Sequence, residues 1–226
     1  MTPQLAFKTP TIPVAAQKAR PDWLAEQDMV EPFRAAGSVI QIPESREIFA
    51  EGDEADLFYK VVSGVVRVCK FLNDGRRQIE AFHVAGDVFG LALSDIHFLT
   101  AEAVSECTLI AYRRRNIEKL AEADRSVGRQ LLQYAMQNLA QAQQHALLLG
   151  RRGAAEKVAG FLLSWAKDEC VLSLVMTRQD IADYLGLTIE TVSRSFSQFE
   201  RDGLIALASS REVQLRNIDA LEELAA

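Results

Sequence analysis

Apolar and polar positions alternate in short runs between Ser38 and Arg113: SVIQI, LFYKVVSG, VVRVCKFL, RQIEAFHV, FLTAEAVS and CTLIAYR. A period of two puts successive side chains on opposite faces of a pleated strand. Gly52, Gly64, Gly75 and Gly86 punctuate the runs every eleven or twelve residues, which predicts an antiparallel sandwich or jelly roll. Asn73-Asp74-Gly75 predicts a hairpin turn between two of them, because glycine accepts the positive φ such turns need.

From Asn116 to Lys167 helix propensity takes over. Ser126 to Leu149 carries one formal charge, Arg129, and is rich in Gln, Ala and Leu. Within it Leu132, Ala135, Leu139, Ala142, Ala146 and Leu149 recur with spacing 3-4-3-4-3, a heptad seam whose small residues admit a second helix at close range. Two readings stand: a core helix packed on its own domain, or a seam facing a two-fold partner. The paired-helix pattern downstream, between Thr177 and Asp202, favours the second. Gly150-Arg151-Arg152-Gly153 breaks the heptads before a further helix predicted over Ala154 to Lys167.

Thr177-Arg178-Gln179-Asp180 opens a helix as a capping box, with Thr177 as N-cap and a carboxylate three residues on. Ile181 and Leu185 give it an apolar face, and Gly186 is suited to end it. Thr188 caps a second helix, from Ile189 to about Asp202. Small Ala182, Gly186 in the turn and Val192 facing the core make a helix-turn-helix pattern.

The second helix has two faces. Val192, Phe196 and Phe199 follow i, i+4, i+7 and are expected to be buried. Glu190, Ser193 and Arg194 lie together on another face near the N-terminal end, the part of a recognition helix that enters the major groove. Arg donates twice to guanine O6 and N7, Glu accepts from cytosine N4, and Ser serves several base edges. These three are the expected base readers. Thr177, Arg178, Gln179, Thr188 and Thr191, beside the free amides of the first turns, are the expected backbone contacts. A Glu–Arg pair on a solvated helix usually means nothing; its place on the second helix of this motif is what gives it weight. After Gly203, LIALAS and REVQL predict a two-stranded wing.

Composition alone does not advertise nucleic acid. Net charge is −6, and the residues after Gly150 hold nine Lys/Arg against twelve Asp/Glu, so DNA contact must come from local arrangement. All six prolines fall at or before Pro43; the first 21 residues read as an extended arm, with a short helix expected over Asp22 to Ala35. No apolar stretch approaches the roughly 20 residues that cross a bilayer, and MTPQLAFKTPTIPV lacks a signal-peptide pattern. Cys69, Cys107 and Cys170 lie far apart, without a CxxC pair, which argues against a disulfide framework or a local metal cluster. A cytoplasmic protein without membrane contact is expected.

TRQDIADYLGLTIETVSRSFSQFERDGLI resembles the helix-turn-helix of the cyclic-AMP receptor protein/FNR superfamily, and Glu190-x-x-Ser193-Arg194 is the pattern of its FNR-like branch. DGRRQI, GDVFGLALSDIHFLTAEAVSECTL and LLGRRGAAEKVAGFLL are similar to the FixK group. The resemblance runs from about Ser38 to the C-terminus. It implies an α+β chain: an N-terminal cyclic-nucleotide-binding-like β-roll (22–124, after the arm at 1–21), a long dimerisation helix (125–150), and a C-terminal winged helix-turn-helix (151–226). It also implies a homodimer on a palindrome like TTGAT-N4-ATCAA, recruitment of RNA polymerase, and activation of low-oxygen respiration or nitrogen-fixation genes. The hairpin Asn73 to Arg76 is a candidate polymerase contact by the same analogy.

Two departures qualify it. The N-terminus has no cysteine cluster of the FNR kind. Where cyclic-nucleotide receptors place a Glu after Phe-Gly, Leu91 follows Phe89-Gly90, and no Arg occurs between Arg77 and Arg113. The ribose acceptor and the phosphate clamp are both missing, so no cofactor and no cyclic AMP are expected. The alternative is an effector-gated sensor that binds haem or another small molecule in the β-roll, with His83 and His97 as axial candidates; lone histidines at strand ends are more often surface or hydrogen-bonded residues. No catalytic residue or metal ligand is expected: His83, His97 and His145 accompany no nucleophile motif and no P-loop.

Overall fold

The computed structural model describes residues 31–166 and 170–225. Eight strands come first: β1 (Gly37–Ile42), β2 (Glu47–Phe49), β3 (Leu57–Ser63), β4 (Val66–Phe71), β5 (Arg77–His83), β6 (Val88–Phe89), β7 (Thr100–Ala103) and β8 (Cys107–Arg113). They form two four-stranded sheets, ordered β1-β8-β3-β6 and β2-β7-β4-β5, with antiparallel pairing throughout. Six strands fall on the six alternating runs. β2 and β6 lie outside them, at three residues or fewer, too short for a period to show. The β4–β5 hairpin turns where expected: Gly75 has φ +83°, and the Asp74 carboxylate accepts from the Arg76 amide at 3.1 Å.

The roll is filled by side chains. Phe49, Tyr59, Val61, Val66, Val68, Phe89, Cys107 and Leu109 make one buried cluster, and the His97 ring stacks on Phe49 at 3.7 Å between centroids. On the opposite face of the first sheet, Phe33 of α1 (Glu31–Ala35), Phe58 and Tyr112 pack with Ile117 of α2 (Arg114–Ala123) and with Val127 and Tyr134 of α3 (Arg125–Leu149). Leu91 packs against this second cluster. The helices part at Asp124, whose carboxylate accepts from the Ser126 amide and hydroxyl at 2.8 and 2.7 Å, an N-cap that starts α3.

The C-terminal elements are α4 (Ala154–Ala166), β9 (Val171–Ser173), α5 (Arg178–Leu185), α6 (Ile189–Arg201), β10 (Ile205–Leu207), β11 (Glu212–Leu215) and α7 (Ile218–Ala225). The wing forms, with β9 added as a third strand in the order β10-β11-β9. Their core continues without a break into the outer face of the second sheet: Cys69, Ile79 and Phe82 belong to the same cluster as Phe161, Trp165, Ile181, Leu185 and Phe196. The N-terminal arm, most of the helix expected from Asp22, and Lys167 lie outside the described residues.

Candidate nucleic-acid interface

Local chemistry fixes the ends of α5 and α6. Thr177 Oγ1 accepts from the Asp180 amide at 3.1 Å while Asp180 Oδ2 accepts from the Thr177 amide at 3.0 Å, so two orphan donors of the first turn are satisfied reciprocally. The helix ends at Gly186, which adopts φ +62° and ψ +39°, a left-handed cap that costs a residue with a Cβ more. Thr188 Oγ1 accepts from the Thr191 amide at 3.2 Å and starts α6.

Burial then separates the two faces of α6. Val192, Phe196 and Phe199 are each 2% exposed or less, and full burial of such side chains stabilises by roughly 1.5–3 kcal/mol apiece. That face is held inward. Glu190, Ser193 and Arg194 are exposed together at the N-terminal end, as the spacing predicts. The Glu190 carboxyl is held below its ordinary value by its own backbone N–H and the Thr188 hydroxyl, with a smaller contribution from Arg194. It is therefore an ionised acceptor resting on the helix N-terminus.

The expected backbone contacts divide. Thr177, Gln179 and Thr188 are exposed and Thr191 is half-buried; the Gln179 amide donates to Asp183 at 2.6 Å. Arg178 is turned inward. Its guanidinium lies 3.3 Å from the centroid of the Phe196 ring, and burial pushes its pKa down to about 10. Its Nη1 is buried without a hydrogen-bond partner.

α3 also presents two faces. Val127, Gln130, Tyr134, His145 and Leu148 are buried against the chain itself. The heptad seam lies on the other side: Leu132 is 62% and Leu139 49% exposed, Ala135 and Ala146 are exposed, and Ala142 and Leu149 are half-buried. Met136, which the heptad reading passed over, joins that exposed stripe at 53%.

The sequence did not single out the residues that seat α5. Arg67 Nη1 and Arg77 Nη2 donate to Asp180 Oδ1 at 3.1 and 2.5 Å, and Arg77 Nε donates to Asp183 at 2.8 Å. Gln78 Nε2 donates to the Tyr184 carbonyl at 3.3 Å, as does His145 Nε2 at 2.8 Å. The only signal was the DGRRQI segment, which carries Arg77 and Gln78, and nothing local to it names a partner about 100 residues away.

Residues 156–224 match the Crp-like helix-turn-helix domain, and residues 39–124 the cyclic nucleotide-binding domain. The nitrogen fixation regulation protein FixK of Azorhizobium caulinodans is 44% identical over 84% of this chain and 80% of its own length. FixK of Rhizobium meliloti is 40% identical over 93% and 98%. The chain belongs to the CRP/FNR family, in its FixK-like group. Among solved structures, FixK2 from Bradyrhizobium japonicum superposes with a TM-score of 0.79 at 42% identity, over 84% of this chain and 98% of that one. The protein is thus a FixK-type transcription regulator with a DNA-binding helix-turn-helix, and its relatives are regulators rather than enzymes.

Membership in the CRP/FNR family makes the roll interior informative. Leu91, which follows Phe89-Gly90, is half-buried against the separate cluster on the opposite face of the first sheet, while Phe49, Tyr59 and Phe89 fill the roll itself. His97 is buried on Phe49, and burial lowers its pKa. His83 faces the Phe89 ring at 5.4 Å. Among the described residues, no group of three or more His, Cys, Asp or Glu side chains is placed to hold a metal, and no helix is long and apolar enough to cross a membrane.

Proposed function

We propose that this FixK-like regulator binds as a homodimer to a TTGAT-N4-ATCAA-like palindrome and activates transcription by recruiting RNA polymerase, at genes of low-oxygen respiration or nitrogen fixation. The observation that carries the reading is the presence of two exposed surfaces on one chain. One is the apolar stripe of α3 through Leu132 and Leu139; the other is the polar reading face of α6. A stripe of exposed leucines and small residues along a 25-residue helix fits a two-fold partner, and a dimer with two recognition helices fits a palindrome.

In this reading Glu190, Ser193 and Arg194 touch base edges in the major groove. Thr177, Gln179, Thr188 and Thr191 hold phosphate, and Arg178 joins them by leaving the Phe196 ring. The chain divides into an arm (1–21), a β-roll (22–124), a dimer helix (125–150) and a winged helix-turn-helix (151–226), and it works in the cytoplasm. The filled roll interior supports activity without a cofactor.

The deciding experiment is a footprint with binding titrations on the palindrome and on a scrambled duplex at stated salt, with sedimentation of the free protein. Protection of both half-sites by a dimer is expected. A monomer, or equal affinity for the scrambled duplex, would overturn the reading.

A further inference from the structure

Two guanidinium groups of the β-roll and two carboxylates of α5 form one half-buried network around the buried Asp180. Arg77 forks across the pair: its Nη2 lies 2.5 Å from Asp180 Oδ1 and 2.7 Å from Asp183 Oδ2. Arg67 bridges Asp180 at 3.1 Å and Glu102, its cross-strand neighbour on β7, at 2.8 Å. The Asp180 side chain is 3% exposed and those of Arg67 and Arg77 below 20%. Burial pulls the Arg77 pKa down, and the bonds from Asp183 and Asp180 more than offset that, so it ends above the ordinary value.

Position gives the network its meaning. Asp180 is also the capping-box carboxylate that fixes the first turn of α5. A single side chain thus joins the start of the DNA-reading unit to the roll. Phe82 of β5 lies beside Tyr184 of α5 at 5.3 Å, and Tyr184 is held to α3 through His145. The helix-turn-helix is therefore clamped from two sides, while Glu190, Ser193 and Arg194 stay exposed. The clamped arrangement leaves the reading face open.

We infer that Arg67 and Arg77 are positioning residues for half-site spacing: through Asp180 and Asp183 they fix the orientation of each reading unit relative to the dimer helix, and so the separation of the two recognition helices. This rests on the dimer and palindrome proposed above. Inserting one base pair moves a half-site by about 3.4 Å and turns it by about 36° about the DNA axis. A rigid pair of readers rejects that change. A loosely held pair tolerates it, at the cost of a lower effective concentration for the second contact.

The test compares wild type, Arg77→Gln, the double variant Arg67→Gln/Arg77→Gln, and Asp183→Asn, which leaves the Asp180 cap untouched. Each is titrated at fixed salt on duplexes with spacers of three, four and five base pairs, and on a duplex with one half-site. The variants should match wild type on the single half-site and bind the four-base-pair palindrome about tenfold or more weakly. They should also bind the three spacers within about threefold of one another, as expected when effective concentration is lost and base contacts are not. Arg77→Lys, which keeps charge without the fork, should fall between. A purely structural role would instead lower half-site and palindrome affinity together and leave the spacer ratio alone. That result overturns the inference, as does a wild-type spacer ratio in all variants. Tighter binding by the variants would make the network a brake and overturn it equally. A wild-type protein indifferent to spacing would defeat the palindrome reading itself, and the wild-type titration alone reveals that case.

Discussion

The imidazole of His145 lies flat on the phenol ring of Tyr184, with centroids 3.9 Å apart and planes 7° from parallel, while its Nε2 reaches the Tyr184 backbone carbonyl at 2.8 Å. A carbonyl oxygen only accepts, so Nε2 carries a proton. One residue of α3 thus holds one residue of α5 by stacking and by a hydrogen bond. Burial raises the Tyr184 pKa, with the Glu80 charge adding to it, so the phenol stays neutral.

His145→Ala should therefore destabilise the protein by about 2 kcal/mol, from roughly 1 for the stacked pair and roughly 1 for the hydrogen bond. Urea unfolding would show it as a lower midpoint at unchanged slope. A loss under a few tenths of a kcal/mol would mean that the contact holds nothing.

How much of this was legible in the sequence depends on the distance over which each signal acts. The α5–α6 unit was readable in detail, because caps, the Gly186 turn and a helical apolar period are local. β9 was not: three residues, Val171–Ser173, show no period, and their partner β11 lies some 40 residues on. Asp180 was read correctly as a cap, yet its second role needs Arg67 and Arg77 from strands more than 100 residues earlier. The contact of Arg178 with Phe196 could not be read from the sequence, because a flat guanidinium fits either a phosphate or an aromatic ring. Only the packed structure shows Phe196 beneath it.

Arg178→Met should leave stability almost unchanged. It gives up the contact with Phe196, worth about 0.5–2 kcal/mol, and removes a buried N–H without a partner, a penalty of about 1–3 kcal/mol. DNA affinity should nevertheless fall equally on all duplexes, with the salt slope reduced by about 1 per protomer. Unchanged affinity would leave Arg178 as an internal support of α6.

The exposed stripe of α3 gives a cleaner prediction. Leu139 is half-exposed in the single chain, so Leu139→Lys should not impair folding of the protomer. Two like charges would face each other across the two-fold axis, desolvated on association. Sedimentation should report a folded monomer. A dimer as stable as wild type would place the interface elsewhere.

His97 predicts a pH dependence. Burial holds its folded-state pKa below the ordinary value of about 6.5, the Asp53 charge opposing in part. Between the two values the unfolded chain binds the extra proton, so stability rises with pH. His97 contributes fully above about pH 6.5 and loses its contribution as pH falls toward the depressed value. His97→Phe, which keeps a ring on Phe49, should flatten stability measured between pH 7 and 5, and an unaltered profile would assign the acid sensitivity to other groups.

The reading face carries the last and most specific prediction. Arg194 is exposed at the N-terminal end of α6, one turn from Glu190, while Thr188 is tied to the cap. Arg194→Ala should remove a bidentate guanine contact, worth roughly 1–3 kcal/mol per half-site, and relax preference at that guanine. On a palindrome the loss should be about double, since a dimer presents the contact twice. Thr188→Ala removes the acceptor for the Thr191 amide and a hydroxyl placed for phosphate, so it should weaken every duplex alike. Glu190 adds an internal control, because its carboxylate rests on the Thr188 hydroxyl and its own amide in the free protein. Glu190→Gln keeps the shape and weakens acceptance from cytosine N4, so its penalty should appear only on duplexes carrying that cytosine. Titrations on consensus and single-substitution duplexes at fixed salt separate these outcomes. If Arg194→Ala weakened all sequences equally, Arg194 would be a phosphate contact, and the base-reading face would have to be sought elsewhere on α6.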